Sequence, residues 1–279
     1  MLWKDDPGSL TQGGRSEVRM ATFSTTPRRH KGRWLRWLAW LSLGLLIVSA
    51  LMMGGAGPLH RLDLVALGTA FSLLRQGALL ALGAAVLGLV TLIAASLSKR
   101  LRPALVGGLV IVAVAAMMVV PWQMKQRAGQ VPPIHDITTD MQNPPAFEAL
   151  APAREATPNA VDYPGEDTAR QQREAYQDIR PITSELTLDD TLEAVEATAS
   201  DMGWEIAEVG EARLEATATT RWFGFKDDVV VRLSEREDGV RVDVRSASRV
   251  GRGDVGTNAR RIREFMEILR ERVKDRGNP

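Results

Sequence analysis

Three apolar runs without a charged residue fall within one short stretch of the chain. They cover residues 37–53, 77–97 and 104–120. A helix that crosses a bilayer needs roughly 20 apolar residues, with a range of about 17–25. One such run could be a buried helix of a soluble core, but three so close together favour three transmembrane α-helices. The sequence therefore predicts a membrane region over residues 34–122.

The first run has a competing interpretation as a secretory signal, because basic residues precede it. It is long for the apolar core of a signal, and no clear cleavage spacing follows it, so we favour an uncleaved span. Residues 1–33 are polar and without apolar periodicity, which predicts a disordered cytoplasmic leader whether translation starts at Met1 or Met20. Residues 62–74 are semi-apolar, and we expect them either along the interface or as an extension of the second span.

The loop charges give these spans a direction. Basic residues stay on the cytoplasmic side of a membrane. Five of them lie within residues 28–36, directly before the first span, and three fill the turn between the second and third, whereas Arg61 is balanced by Asp63 in the remaining loop. The N-terminus is therefore expected in the cytoplasm. An odd number of spans then leaves residues 123–279 outside it.

The spans themselves have the composition of an anchor. Ion paths and proton relays usually need ionisable groups at membrane depth, and these runs contain none, which disfavours a transporter or channel. Contact with the lipid bilayer is expected. The small residues Ala81, Ala84, Ala85 and Gly88 suit close helix packing, either within the chain or in a homo-oligomer.

The two halves of the chain differ sharply in charge. Residues 1–122 hold 13 Lys/Arg and 4 Asp/Glu, a net charge of +9, and the remainder holds 22 and 30, a net charge of −8. An acidic external domain disfavours nucleic acid as a partner. The absence of cysteine excludes disulfides, thiolate catalysis and Cys-ligated zinc. No cofactor is indicated.

The C-terminal half begins with a Pro-rich arm, residues 128–181, which we expect to wrap the domain that follows it. From Ile182 the predicted order is β-α-β-β-β-β-α. Thr187 with two following acids indicates a helix start, and Val240, Val242 and Val244 alternate with polar residues as in a half-buried strand. Asp238-Gly239 is a hairpin signal. The fold class is therefore three transmembrane helices plus an α+β domain. Its sheet is antiparallel and four- to five-stranded, with two helices on one face and a polar face left bare unless the arm crosses it.

Polar residues of the later strands and of the turn that leads into the last helix form the candidate site. A Gly-rich turn at a helix N-terminus can bind an anionic group, so ligand binding is one interpretation. The competing interpretation is structural, with Asp228 paired to Arg245 and Asp254 or Thr257 capping the helix. A cation at the two adjacent aspartates, and a metal at His135-Asp136, have too few ligands. No histidine accompanies the serines for a nucleophilic triad. The candidate residues are Asp227, Asp228, Arg245, Ser246, Ser248, Arg249, Asp254, Asn258 and Arg260.

Several motifs in this half resemble, in order, the bacterial family known as domain of unknown function 1499. The resemblance covers roughly residues 128–274 and implies a membrane-attached envelope domain without an established activity, so it assigns no catalytic residue. Together with the loop charges, it implies a multi-pass protein of the bacterial inner membrane whose residues 123–279 lie in the periplasm. It also implies that the Pro-rich arm belongs to the domain. The motifs are residues 132–140 (PPIHDITTD), Gly203-Trp204, Glu215-Ala216, 224–229 (GFKDDV), 243–251 (DVRSASRVG), Asp254 and 256–259 (GTNA).

The function expected from these patterns is a membrane-anchored module whose external domain binds an envelope protein or a polar or anionic ligand. The alternative is a membrane-anchored hydrolase or transferase that uses Asp227, Asp228 and the turn over residues 245–258. The two hypotheses differ in what they expect around the carboxylates: a flat surface of paired charges for the module, and a deep pocket for the enzyme.

Overall fold

A computed structural model describes residues 33–277. Three helices come first: α1 (Arg33–Arg61), α2 (Leu67–Leu97) and α3 (Leu101–Ala128). All three are long and apolar enough to cross a membrane. Residues 67–74 of the semi-apolar segment form the first turns of α2, so they lengthen that helix. The predicted leader, apart from Arg33, lies outside the described residues.

Small side chains allow the three helices to pack closely. Ala81 and Ala84 of α2 are fully buried and form a cluster with Val110 and Val114 of α3. The Ser49 hydroxyl of α1 donates a hydrogen bond of 2.7 Å to the Gly77 carbonyl of α2. Leucine, valine and tryptophan side chains cover the outside of the bundle, as in Leu105, which is 62% exposed. The bundle therefore presents an apolar surface suited to lipid.

The rest of the chain forms one antiparallel sheet with helices, which confirms the predicted α+β layout. The strands are β1 (Asp136–Thr138), β2 (Ile182–Ser184), β3 (Glu205–Val209), β4 (Arg213–Thr219), β5 (Lys226–Arg236) and β6 (Gly239–Ser248). They run in the order β1-β6-β5-β4-β3, and β2 also pairs with β6, next to β1 along the same side of that strand. The sheet has six strands where four to five were predicted, and the additional strand is β1, which the arm supplies.

Four further helices complete the domain: α4 (Ala151–Glu155), α5 (Glu166–Ala175), α6 (Leu188–Asp201) and α7 (Thr257–Gly277). The predicted cap is confirmed, since the Thr187 hydroxyl accepts a hydrogen bond from the Asp190 amide. The hairpin between β5 and β6 turns at Glu237 and Asp238, one residue earlier than the signal indicated. Gly239 opens β6 with a φ of 126°, a conformation that L side chains rarely adopt.

Helices α6 and α7 cover one face of the sheet with an apolar core. Trp204 stacks on Phe265 with 5.1 Å between the ring centroids. On α7, the side chains of Ile262, Phe265, Met266 and Leu269 are buried against the sheet. Valines and alanines that alternate along β4, β5 and β6 meet these helices.

The arm covers the opposite face. Phe147 and Leu150 of the arm pack on Val230 of β5 and Ala247 of β6. The sequence predicted a bare polar face unless the arm crossed it. The arm does cross this face, so the sheet is covered on both sides.

A loop of the domain joins it to the helical bundle. The β4–β5 loop carries Phe223, which is buried in a cluster with Ala56 of α1 and Ala70 of α2. The guanidinium of Arg61 donates to the Arg221 carbonyl at 2.6 Å, and the indole N–H of Trp222 points to the Gly54 carbonyl at 3.4 Å. The end of the sheet that carries the β4–β5 loop therefore contacts the C-terminal end of α1 and the N-terminal end of α2.

Candidate functional site

The strands divide the predicted site residues between the two faces of the sheet. Successive side chains of a strand point to opposite faces, so Asp227 faces α7 whereas Asp228 faces the arm. On β6, Ser246 faces α7 and Arg245 faces the arm. Eight of the nine predicted residues therefore form two separate polar clusters, and the ninth, Arg260, belongs to neither. We call them the arm cluster and the helix cluster.

Asp228 is the centre of the arm cluster. Its carboxylate accepts from Nη1 of Arg154 at 3.0 Å, and from Nε and Nη2 of Arg249 at 2.9 and 2.8 Å. The Thr217 hydroxyl adds a fourth contact at 2.9 Å. The side chains of Asp228 and Arg154 are both fully buried. Burial lowers the pKa of Arg154, and the charge of Asp228 opposes this shift.

Arg245 belongs to the arm cluster but pairs with Asp136 of β1 instead of Asp228. Its Nε and Nη2 atoms donate to the two carboxylate oxygens at 3.0 and 2.8 Å, in the two-point geometry that makes such pairs strong. Its remaining donors reach the carbonyls of Pro145 and Val161 in the arm. One arginine thus ties β6, β1 and two points of the arm together.

Aromatic side chains of the arm lie against the same arginines. The guanidinium carbons of Arg154 and Arg245 each lie 4.7 Å from the Phe147 ring centroid. The guanidinium carbon of Arg245 also lies 5.7 Å from the Tyr163 ring centroid. The buried hydroxyl of Tyr163 has no hydrogen-bond partner among the described residues. Burial raises the pKa of this tyrosine. Cation–π contacts therefore accompany the ion pairs.

Two more carboxylates hold the arm to the sheet. The two oxygens of fully buried Glu215 accept from the amides of Glu148 and Leu150 at 2.7 and 2.9 Å. Asp243 accepts a hydrogen bond from the Thr139 hydroxyl of the arm at 3.2 Å, and it also accepts from Arg232 and Arg241 of the sheet. These contacts connect β4, β5 and β6 to the first half of the arm.

The helix cluster lies between β6 and the start of α7. Asp227 accepts from Arg261 at 2.6 Å, and Asn258 bridges Ser246 at 2.7 Å and Ser248 at 3.0 Å. The side-chain amide of Asn258 also donates to the His135 carbonyl, which fastens the arm to α7.

Asp254 caps the start of α7, as the structural interpretation of the turn predicted. Its carboxylate accepts from the amides of Gly256 at 2.8 Å and Asn258 at 2.6 Å, at the start of α7. Burial raises its pKa, although these two hydrogen bonds work in the opposite direction. Arg260, on the first turn of α7, is exposed.

The geometry gives these residues a common role in holding elements together. Buried carboxylates and guanidiniums satisfy one another, so each buried charge is compensated. None of the five principal cavities of residues 33–277 is lined by Asp227, Asp228 or Arg249. Within the same residues, no group of three or more His, Cys, Asp or Glu side chains is placed to hold a metal ion. Ligand binding by the nine residues remains a prediction.

Sequence reasoning missed several members of these clusters. Arg154 stands alone in a Pro-rich segment, and nothing in its neighbourhood distinguishes it from an exposed arginine. Arg261 directly follows the candidate Arg260, but the helical period that would have turned it toward the sheet was read from apolar residues only. Asp136 was considered only as a metal ligand. The presence of Arg245 at the centre of a buried strand was the available signal that an acid partner had to exist.

The fold and these clusters define a class: an α+β domain, closed on both faces and joined to three helices of membrane-spanning length. The comparison with protein families agrees with the resemblance seen in the sequence. Residues 136–269 match the family model described as a protein of unknown function (DUF1499), which confirms the predicted resemblance over this region. The match begins at β1, so it includes the arm. No curated protein sequence matches the chain.

Proposed function

We propose that the protein is an integral membrane protein of the bacterial cell envelope. In this proposal, its α+β domain lies outside the cytoplasm and binds an envelope protein or an anionic ligand beside the bilayer. The observation that carries it is the direct contact between the domain and the helical bundle. Phe223 is buried in a cluster with residues of α1 and α2, and Arg61 donates a hydrogen bond to the loop backbone, so the domain packs against the ends of these helices.

The charges at this end of the domain support a ligand close to the bilayer. The last residues of β4 and β6 pair with the first residues of β5, so all three lie at the same end of the sheet. Arg221, Lys226 and Arg252 project there and are exposed. Basic side chains next to a membrane attract anionic headgroups and acidic segments of other envelope proteins. We call this surface the basic end of the domain.

A pair of enzyme fusions tests the external location. Alkaline phosphatase is active only outside the cytoplasm, so a fusion after residue 125 should be active and a fusion after Lys99 silent. The reverse pattern would mean that the orientation is inverted and that the domain lies in the cytoplasm.

Photo-crosslinking tests the binding surface in intact membranes. A photoreactive amino acid at Lys226 or Arg252 of the full chain should give a defined adduct with a lipid or a protein. The matched control is the same amino acid at Glu237, an exposed position in the β5–β6 turn at the opposite end of the sheet. Equal labelling at the three positions, or labelling at Glu237 alone, would contradict the proposed surface.

A further inference from the structure

The largest of the principal cavities lies in the helical bundle, at the end away from the domain. The domain rests on the C-terminal end of α1 and the first turns of α2. This cavity, of about 720 Å³, lies instead between the first turns of α1 and the first turns of α3. Its lining residues are Arg36, Ala39, Trp40, Leu43, Arg100, Leu101, Arg102, Pro103 and Val106.

The lining combines two chemistries in one cavity. Among the described residues that line it, the ionisable groups are the three guanidiniums of Arg36, Arg100 and Arg102. The remaining wall is apolar and includes the Trp40 indole. A smaller depression of about 270 Å³ adjoins it, sharing Arg36 and Trp40 and adding Arg33 and Trp37. The two depressions form a continuous basic and aromatic surface along α1.

This combination matches one class of ligand at one depth. Arginine binds phosphate oxygens through several donors, and basic pockets between transmembrane helices bind anionic lipid headgroups. Tryptophan is enriched where a span meets the headgroups. The apolar wall continues onto the outer surface of α3, where Leu105 and Leu109 are more than 60% exposed. An acyl chain can follow that surface, whereas a free phosphate ion would leave it bare.

We propose that this cavity is a binding site for an anionic phospholipid. The phosphate lies among Arg36, Arg100 and Arg102, and the first part of an acyl chain lies against Leu43 and Val106. The bound lipid bridges α1 and α3, which are joined to each other in sequence only through α2. The site is independent of the function proposed above, because it lies at the other end of the bundle and uses none of the domain's residues.

Native mass spectrometry of the full chain in detergent measures this binding directly. The probe is phosphatidylglycerol, with phosphatidylcholine as the zwitterionic comparison. A basic residue beside an anionic surface contributes about a fivefold gain in affinity. The single change Arg36→Gln should therefore weaken phosphatidylglycerol binding about fivefold. The triple change to Gln at Arg36, Arg100 and Arg102 should weaken it about 100-fold.

A second triple variant controls for net charge. Arg75→Gln, Lys125→Gln and Arg127→Gln remove the same charge from exposed positions outside the cavity and should leave binding unchanged. Changing the three cavity arginines to Lys should retain most of the binding, which separates loss of charge from loss of fold. Equal weakening by both Gln triples would overturn the proposal. It would also fail if wild-type protein bound the two lipids equally, or if millimolar inorganic phosphate displaced phosphatidylglycerol, which would identify a free-anion site.

Discussion

The two faces of the sheet are both buried, but by different means. Helices α6 and α7 cover one face with alanine, valine, leucine and aromatic side chains. The arm covers the other with few apolar residues, chiefly Phe147 and Leu150, and a network of arginine–carboxylate pairs. A long helix supplies an apolar stripe by its period alone, whereas the proline-rich arm contains only the short helices α4 and α5 and is otherwise irregular apart from β1. The arm therefore depends on specific polar anchors.

The difference implies different responses to mutation. Apolar packing is non-directional and loses free energy in proportion to what is removed. Buried ion pairs are costly to break, because the partner left behind is an uncompensated charge. Single substitutions on the arm face should therefore show the difference between the two faces most clearly, as a larger loss in the free energy of unfolding.

The largest expected effect is that of Asp228→Ala. It leaves Arg154 fully buried without its acid and removes the main partner of Arg249, so we expect a loss of about 3–5 kcal/mol in the free energy of unfolding. Urea unfolding of the full chain in detergent, followed by near-UV circular dichroism, measures it. Asp162→Ala, at an exposed aspartate of the arm, is the matched control.

A second change on Asp228→Ala sharpens the comparison. Adding Arg154→Met removes the stranded charge and should recover part of the loss, giving strong non-additivity. No equivalent rescue exists for Leu269→Ala on the helix face, where about 2–5 kcal/mol is lost to a cavity. If Asp228→Ala cost no more than a surface pair, the two faces would not differ as described.

Glu215→Gln should have an intermediate effect. The native carboxylate offers one oxygen to the Glu148 amide and the other to the Leu150 amide. Glutamine keeps the size but offers only one acceptor, so one amide loses its partner at a cost of about 1–3 kcal/mol. Faster hydrogen exchange confined to residues 148–150 is the specific signature. Glu211→Gln, at an exposed position in the preceding turn, should change neither measurement.

The smallest effect belongs to Asp178→Asn, at an exposed pair outside both faces. The hydrogen bond from Arg263 lowers the pKa of Asp178. Its stabilisation is therefore present above the ordinary pKa of an aspartate and is lost as the pH falls through the lowered value. Because the pair is solvent-exposed, we expect less than about 1 kcal/mol at pH 7, and none in strong acid. Unfolding curves at pH 7 and in strong acid measure the difference in the free energy of unfolding between Asp178→Asn and wild type. A difference seen only in acid would contradict the prediction.

Much of this architecture could be predicted from local patterns. Charge-free runs predicted three long helices, and the alternation of Val240, Val242 and Val244 predicted the central strand. The strand β1 could not be predicted in the same way. It has three residues within the Pro-rich arm, and its conformation comes from pairing with β6 more than 100 residues further along the chain.

The candidate site was harder for the same reason. Sequence proximity grouped Asp227 with Asp228, but the period of a strand sends them to opposite faces. The partners that give them a role, Arg261 and Arg154, come from α7 and from the arm. These pairings are tertiary contacts, and the local conformational preferences of the residues do not predict them. A charged residue in a buried strand indicates that an oppositely charged partner exists, but not which residue it is.

The anchoring of the arm also sets an order of events during synthesis. Asp136 and Arg245 are separated by 109 residues, so the arm leaves the ribosome long before the strand that receives it. Its carboxylates must stay hydrated, and β1 unformed, until β6 has been made. Contacts so distant in sequence slow folding. A chain halted before β6 would therefore carry a finished set of membrane helices and an arm with nothing to close on.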